Sequence, residues 1–343
     1  MLRVAGRAVL TLLLSALAGS LLVFLLLRLL RGDVATVILG ETATPAALEA
    51  LRAELGLDRP WFVQYAEWAA GLFTGDLGVS YAAGYDIFAE IRTRAAVTFS
   101  LAVSSLLLSV LFALAVGTYS ALHARDRRGV VVDVGAQLGI AVPAFWAGLL
   151  LIGFFAVRLG WFPSGGYVPW SQSPVQATRS LTLPVLATSI SVAAILTRYV
   201  RSSMLEELDQ DYIRTAMSKG MTLRRAAVRH GLRNTAVSMV TVATLQLGTL
   251  LAGTVVIENV FTLPGLGRML LTAVGGREAI VVQSLVFVIL LMILTLNLLL
   301  DLTYGLLDPR MRDNSSARIP RGRRQLGGHE PVPEDLDQEV VTP

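Results

Sequence analysis

Six long apolar runs constrain this chain more than any other feature, because each can cross a lipid bilayer. A helix needs about 20 apolar residues to span a ~30 Å hydrocarbon core. Charged residues make up only 16% of the chain, against roughly 25% in ordinary globular proteins. The predicted spans are Ala8–Leu27, Ala95–Ala121, Val130–Val157, Leu183–Val200, Ala236–Ile257 and Ala279–Leu300. Their length disfavours the alternative, a water-soluble core that buries all of them.

The first and third runs each carry a feature that modifies this interpretation. Ala16-Leu17-Ala18 resembles a signal-peptide cleavage site, with Arg3 and Arg7 upstream. The apolar residues continue past Ala18 through Leu25, however, which favours an uncleaved first span. In the third run, Pro143 predicts a kink, because proline removes a helical hydrogen bond.

The polar segments divide the chain into predicted regions. We expect the amino terminus and first span over 1–30, an extracytoplasmic insert over 31–94, a five-helix transmembrane core over 95–307 and a disordered tail over 308–343. The insert is acidic, with nine acidic against five basic residues. Four aromatic residues in it have helical spacing, which suits an interfacial helix or the core of a small external cap: Trp61, Phe62, Tyr65 and Trp68. A second external loop is predicted at Gly160–Arg179.

Basic residues determine the predicted orientation. With the amino terminus in the cytoplasm, 19 basic residues lie on the cytoplasmic side and nine on the other, with Arg28 at a helix end. Cytoplasmic loops carry an excess of Lys and Arg, and the short loops agree with that rule. Both termini are therefore predicted to be cytoplasmic, together with the loop between the fourth and fifth spans.

That loop, Asp211–Asn234, is the most distinctive stretch of the chain, and we call it the elbow. It holds six basic residues between two apolar spans: Arg214, Lys219, Arg224, Arg225, Arg229 and Arg233. Its apolar and small residues recur at helical spacing on either side of Gly220. Thr222 can cap a second helix. We predict two short helices joined at a glycine, with one basic face and one face of small residues, which includes Ala216, Ala226 and Ala227.

The elbow resembles the coupling loop, or EAA loop, of bacterial ABC importer permeases. The family pattern is Glu-Ala-Ala, three residues, Gly, nine residues, then an apolar residue, any residue, Leu and Pro. Here Arg214-Thr215-Ala216, Gly220 and His230-Gly231-Leu232-Arg233 take these places, without the Glu and the Pro. The variant is similar to the oligopeptide/dipeptide branch. Four further stretches also resemble that branch, so the likeness covers most of residues 1–312: Leu55–Tyr65, Gly75–Tyr81, Val260–Leu270 and Leu306–Arg312.

The resemblance implies an all-α integral membrane protein of the type I ABC importer permease fold, with six transmembrane helices. It implies a second homologous permease subunit, two cytoplasmic ABC ATPase subunits and an extracytoplasmic substrate-binding protein as partners. It also implies that the elbow docks into a groove on an ATPase subunit. The residues so assigned to coupling are Arg214, Thr215, Ala216, Lys219, Gly220, Arg225, His230 and Leu232. The alternative is a basic loop held at the bilayer surface by anionic lipid alone.

Two more sets of residues are candidates for the transport path. Val260–Leu270 is similar to the outer gate region of the family, with Phe261, Pro264, Gly265 and Gly267 as gate residues; a plain loop is the alternative. Gln137 and Gln246 lie within the predicted spans and are candidate pathway residues. Interhelical hydrogen bonds worth about 0.6 kcal/mol are the favoured alternative for such amides, Gln283 included.

No catalytic chemistry is indicated by the residue pattern. The one lysine, Lys219, precedes its glycine, so the chain has no phosphate-binding Walker loop. The three histidines are far apart and cysteine is absent, so we expect no catalytic residue, no cofactor and no metal site. We expect the lipid bilayer, and no nucleic acid, among the partners. The alternative to an ABC permease for peptides is a self-sufficient carrier or channel for a small solute, although such a carrier would more usually show a buried carboxylate.

Overall fold

The computed structural model describes residues 2–29, 34–40 and 43–307, and these ranges are almost entirely helical. Within them the strand content is limited to one isolated bridge between Val79 and Asp86. The helices are α1 (Leu2–Leu29), α2 (Val34–Leu39), α3 (Pro45–Glu54), α4 (Trp61–Thr74), α5 (Ile87–Leu122), α6 (Arg127–Ala141), α7 (Ala144–Leu151), α8 (Pro174–Leu208), α9 (Asp211–Ser218), α10 (Leu223–Ala226), α11 (Leu232–Val260), α12 (Leu266–Gly275) and α13 (Ala279–Leu307). Two π-helical segments, Ile152–Arg158 and Ala227–Gly231, follow α7 and α10. The predicted disordered tail lies outside the described residues.

Five helical segments are long and apolar enough to cross a membrane, namely those in α1, α5, α8, α11 and α13. The sixth predicted span is a pair of helical segments, Arg127–Ala141 and Ala144–Arg158, bent by 98° at the break. Pro143 occupies this break, so the predicted kink is confirmed. The bend is sharp enough to divide the span into two helices. A proline cannot donate to the preceding turn, and its ring clashes with that turn's carbonyl.

Two long helices begin earlier than their apolar residues indicate. Helix α5 starts at Ile87, eight residues before the predicted span, because the Asp86 carboxylate accepts the Ala89 N–H at 2.7 Å. Helix α8 starts at Pro174, where the Ser173 hydroxyl accepts the Gln176 N–H at 3.3 Å. The prediction of a loop up to residue 179 was therefore wrong for its last six residues.

Helix α8 forms the centre of the core. Within its most apolar window 67% of the residues are buried, against 28% for α5 and α11. Gly117 lets α5 approach it, because a Cβ there would lie 2.7 Å from Val200 Cβ. Two serines tie the same helices together: Ser109 Oγ donates to the Ser189 carbonyl, and Ser189 Oγ to the Ser105 carbonyl, each at 3.2 Å. Helices α5 and α8 thus form a closely packed pair.

The aromatic residues of the insert divide between two environments. Trp68 is buried, donates from Nε1 to Ser284 Oγ at 3.0 Å and packs edge-on against Phe287 of α13. Trp61 and Phe62 of the same helix are exposed. One end of the aromatic stripe of α4 is therefore buried against α13, and the other end is exposed.

Candidate functional site

The elbow folds as two short helices around Gly220, as predicted. Gly220 has φ +88°, a left-handed conformation that glycine adopts without a Cβ penalty. It ends α9 in a Schellman motif: the Gly220 N–H donates to the Met217 carbonyl at 2.9 Å, and the Met221 N–H to the Ala216 carbonyl at 3.2 Å. Thr222 then caps α10 by accepting the Arg225 N–H at 3.4 Å. These bonds give the turn a defined geometry.

The face of small residues packs inside the chain. Ala216 and Ala226 form a cluster with Ile213, against which Met221 packs. Ala227 is fully buried and clusters with Met204 and other residues of the α5 and α8 ends. The elbow therefore uses this face to pack on itself and on the two long helices. Ala216 contributes to the internal packing of the elbow.

The opposite face of the elbow is open and combines charge with apolar surface. All six basic side chains of the elbow are exposed. Three large apolar side chains lie exposed among them: Met217 at 44%, Leu223 at 39% and Val228 at 51%. In the described part of the chain the one ion pair of these cations joins Arg214 Nη1 to Asp211 Oδ1, at 3.5 Å. Thr215 is exposed beside them, and its hydroxyl donates to the Asp211 carbonyl at 2.9 Å.

A hydrogen-bonded cluster connects the elbow to both flanking spans. The Tyr212 hydroxyl of α9 donates to Glu207 Oε2 in the last turn of α8. Asn234 Nδ2, in the first turn of α11, donates to Glu207 Oε2 at 3.2 Å and to the Tyr212 hydroxyl at 3.3 Å. Burial, together with the Glu207 carboxylate, raises the pKa of Tyr212 to about 12. Sequence reasoning missed this cluster, because its members lie on three separate helices.

The remaining coupling candidates, His230 and Leu232, pack where the elbow meets α8 and α11. The His230 ring lies edge-on to Tyr212, with 6.5 Å between ring centroids. Leu232 packs against the cluster of Ala121, Met204 and Ala227. Gly231 is buried beside Met204, whose Sδ would lie 3.1 Å from a Cβ at that position. These residues therefore pack within the junction, whereas the arginines and Lys219 face outward.

The gate candidates occupy the turn between α11 and α12. Phe261 is 1% exposed and packs in a cluster with Leu183 and Leu263. Pro264 is exposed at the tip of the turn. Gly265 and Gly267 sit where no side chain fits, since a Cβ would lie 2.2 Å from Glu258 Cδ and 2.4 Å from Val255 Cα, respectively. The segment is closely packed against the end of α11.

Glu258 holds this turn together, and sequence reasoning assigned it no role. Its buried carboxylate accepts the Thr98 hydroxyl of α5 at 2.6 Å and the Arg268 N–H of α12 at 3.0 Å. The Thr98 hydroxyl in turn accepts the Leu266 N–H at 2.9 Å. The N-cap of α12 is Gly265, which has no side chain, so the carboxylate of another helix serves its first turn.

The candidate pathway glutamines are not brought together as a group. Gln137 is exposed on α6, and Gln246 is half-buried on α11. Gln283, the amide for which an interhelical hydrogen bond was favoured, is 4% exposed, yet its Nε2 has no hydrogen-bond partner in the structure. Among the described residues, no three His, Asp or Glu side chains are grouped as a metal site would require.

The five long apolar helices and the bent pair, with a basic elbow between two of them, are typical of a polytopic membrane protein. Residues 113–313 match the family described as binding-protein-dependent transport system inner membrane component, and residues 1–102 match its N-terminal region. The chain belongs to this family, and it is the permease subunit of a binding-protein-dependent ABC transport system.

Named relatives align with most of the chain. The chain is 42% identical to a Brucella abortus (strain 2308) protein named as a peptide transport system permease, over 85% of this chain and 93% of the relative. It is 38% identical to the glutathione transport system permease protein GsiC of Pectobacterium atrosepticum, over 85% and 92%. The GsiC protein of Escherichia coli O6:H1 is 36% identical, over 85% and 93%.

Proposed function

We propose that this permease imports peptides, including short ones of the size of glutathione. The support is the pair of relatives named for peptide and glutathione transport, which align over more than nine-tenths of their own length. Deletion of the gene is expected to abolish growth on the transported peptide as sole nitrogen source, with growth on free amino acids unchanged. Unimpaired uptake of radiolabelled peptides of two to eight residues by the deletion strain would exclude this cargo.

We propose further that the outer face of the elbow docks on a cytoplasmic ATPase subunit. The observation that carries this proposal is the mixture of exposed cations with Met217, Leu223 and Val228. Anionic lipid attracts the charges but does not require a folded turn with a specific apolar pattern, whereas a protein groove does. Arg214, Thr215, Lys219 and Arg225 then contact a groove with an acidic rim, while Gly220 sets the angle between the two elbow helices.

The proposed assembly contains a second, homologous permease, two ATPase subunits and a binding protein outside the cell. Both termini lie in the cytoplasm in this proposal, which is supported by the excess of basic residues on the elbow side. The acidic insert and the loop before α8 then face the binding protein. In the proposed assembly this chain hydrolyses no nucleotide itself. Its residues 95–307 supply half of the translocation path.

The proposed mechanism uses α11 as a lever between the two ends of the membrane. Helix α11 has 29 residues, which corresponds to about 44 Å at 1.5 Å per residue. At one end the cluster of Glu207, Tyr212 and Asn234 fixes it to the elbow, and at the other Glu258 fixes it to α12. A displacement of the elbow by ATPase closure therefore tilts α8 and α11 and moves the gate turn.

Recovery of the ATPase subunit with tagged permease tests the docking proposal. Met217→Asp puts a negative charge at an apolar contact, and Arg225→Glu puts one opposite the acidic rim of the groove. Each variant is expected to reduce recovery about tenfold. Arg128→Glu, an exposed site in the first turn of α6 on the same predicted side, is the matched control and should leave recovery unchanged. Wild-type recovery by both elbow variants would contradict docking through this face.

A further inference from the structure

A segment of the chain crosses the gate turn, which comprises residues 261–265 between α11 and α12. This segment, residues 160–173, leads from the π-helical segment after α7 to the start of α8, and we call it the strap. The Gly166 N–H donates to two acceptors of the gate turn, the Phe261 carbonyl at 2.9 Å and the Thr262 hydroxyl at 3.1 Å. The strap is therefore hydrogen-bonded to the gate turn, and the mechanism proposed above does not use this contact.

Two consecutive glycines allow the strap to approach the turn closely. A Cβ on Gly165 would lie 2.7 Å from Thr262 Oγ1 and 2.8 Å from the Phe261 carbonyl oxygen. Gly166 has φ +87°, a left-handed conformation that glycine adopts without a Cβ penalty. The strap and the gate turn are thus in backbone contact at a place where other residue types do not fit.

Thr262 occupies a backbone position that favours glycine. Its φ is +49°, which is uncommon for a β-branched residue. It follows the end of α11 in a Schellman motif: its N–H donates to the Asn259 carbonyl at 3.3 Å, and the Leu263 N–H donates to the Glu258 carbonyl at 2.8 Å. Glycine is the usual residue at this position because it has no Cβ. The hydroxyl that accepts the strap N–H gives the threonine a use that glycine lacks.

The strap and the gate turn also share one buried cluster. The Phe261 ring lies against Gly148 of α7, where an added Cβ would be 3.0 Å from its Cε2. Phe162 and Tyr167 of the strap pack against the cluster that contains Phe261 and Leu183 of α8. A displacement of Phe261 from this cluster therefore breaks its packing with the strap.

Side chains of two long helices hold the strap near its ends. Arg179 of α8 donates from Nη2 to the Trp161 carbonyl at 2.8 Å. Trp170 donates from Nε1 to Ser100 Oγ of α5 at 3.2 Å. The strap is thus attached to the packed pair of α5 and α8, and it contacts the end of α11 through Gly166. Movement of the gate turn relative to α5 and α8 has to break the Gly166 bonds or displace the strap.

We infer that Thr262 is a positioning residue of the gate, through which the strap holds the gate turn until the two separate in each transport cycle. This inference rests on the proposed role of the turn as a gate. Thr262 is exposed, so water can replace its bond to the Gly166 N–H. Such a bond contributes little net free energy. It therefore fixes a resting position and can still be broken in every cycle.

A reversible cross-link between strap and turn tests this inference. Gly165→Cys with Thr262→Cys places two thiols at the contact, in a chain that has no other cysteine. In proteoliposomes that hold the complete transporter with its binding protein, oxidation should reduce ATP hydrolysis and uptake of radiolabelled peptide about tenfold, because the turn can no longer move. Dithiothreitol should restore both. The oxidised single variants, Gly165→Cys and Thr262→Cys, are the matched controls and should keep their unoxidised activity.

The cross-link separates this inference from the proposed cargo. Undiminished ATP hydrolysis by the double variant, with the disulfide verified by mass spectrometry, would overturn the strap inference whatever the cargo is. ATP hydrolysis that falls on oxidation, in a transporter whose wild type takes up no peptide, would reject the cargo and support the strap.

Substitution of Thr262 tests the inference without a disulfide. Thr262→Gly keeps the left-handed backbone but removes the hydroxyl, whereas Thr262→Ser keeps both. In the purified permease, amide exchange of residues 162–167 should be about fivefold faster in Thr262→Gly, with an unchanged thermal midpoint. Thr262→Ser should resemble wild type. Equal exchange in the Gly and Ser variants would show that the hydroxyl does not hold the strap.

The activity of Thr262→Gly distinguishes a positioning role from a purely structural one. In the complete transporter without binding protein, its ATP hydrolysis is expected to rise about threefold, because the gate turn is no longer held in its resting position. A residue needed only for folding would lower this activity when replaced. Hydrolysis at or below the wild-type rate in Thr262→Gly would therefore overturn the inference.

Discussion

Glu258, near the end of α11, accepts a hydrogen bond from the Thr98 hydroxyl of α5 at 2.6 Å, although the two residues are 160 positions apart and both are buried. The same hydroxyl accepts the Leu266 N–H of α12. One threonine therefore connects three helices at the gate turn. The elbow lies at the opposite end of α11, so the junctions at both ends of this helix are held by polar side chains.

Replacing Thr98 should loosen the gate turn. Thr98→Val keeps the side-chain shape but removes both hydrogen bonds, which leaves the Glu258 carboxylate short of a donor and the Leu266 N–H without an acceptor. We expect a loss of about 2 kcal/mol in the free energy of unfolding, measured by thermal unfolding in detergent. Thr98→Ser keeps the hydroxyl and should recover most of that loss; equal destabilisation by Val and Ser would show that the hydroxyl does not matter.

Gly220 should be required for its backbone conformation alone. Its φ is +88°, and a Cβ there would meet no atom within 4 Å, so Gly220→Ala adds strain of roughly 1 kcal/mol without a clash. Amide exchange in α9 is expected to accelerate about fivefold. Gly135→Ala, also free of contacts within 4 Å but inside a helix, should not accelerate exchange there. Unchanged protection of α9 in Gly220→Ala would contradict a left-handed backbone at this position.

Gly267 should tolerate no side chain. A Cβ would lie 2.4 Å from the Val255 Cα of α11, and backbone cannot rotate away as a side chain does. Gly267→Ala is expected to cost about 1–3 kcal/mol and to impair transport by displacing α12. Gly275→Ala, in the same helix with no atom within 4 Å, provides the comparison. Equal thermal stability of the two variants would show that α11 and α12 are not held as closely as the structure indicates.

Tyr212 should ionise later than an ordinary tyrosine. Its folded pKa of about 12 is above the usual value of 10, so folding favours the neutral phenol that donates to Glu207. The contribution of this bond to stability is fully present below pH 10 and is lost as the pH rises through 12. The difference in ultraviolet titration between wild type and Tyr212→Phe should show one tyrosine with a midpoint near 12. A midpoint near 10 would mean that the Glu207 bond is absent in solution.

Local signals in the sequence predicted much of the fold. The apolar runs identified the spanning helices, Pro143 identified the break in the third, and Gly220 with Thr222 identified the turn of the elbow. These features follow from short-range physics, since span length, proline sterics and capping depend on neighbouring residues. Helix starts were less accurate, because Asp86 and Ser173 cap α5 and α8 outside the apolar runs.

Contacts between distant residues could not be predicted in the same way. The small-residue periodicity of the elbow shows that one face is special, but it does not distinguish packing on a partner from packing on Ile213 and Met204. The pairing of Glu258 with Thr98, and of Glu207 with Tyr212 and Asn234, depends on how the long helices cross. Only the packed structure brings those side chains together.

Site-directed cross-linking tests the central claim, docking of the elbow on a separate motor subunit, most directly. The chain has no cysteine, so Arg225→Cys on the open face, Ala227→Cys in the buried face and Arg158→Cys on the opposite predicted side each introduce a single thiol. With the ATPase subunit co-expressed, a short bifunctional maleimide–amine reagent should join Arg225→Cys to that subunit and leave the other two unlinked. A cross-link from Arg158→Cys in place of Arg225→Cys would contradict the account.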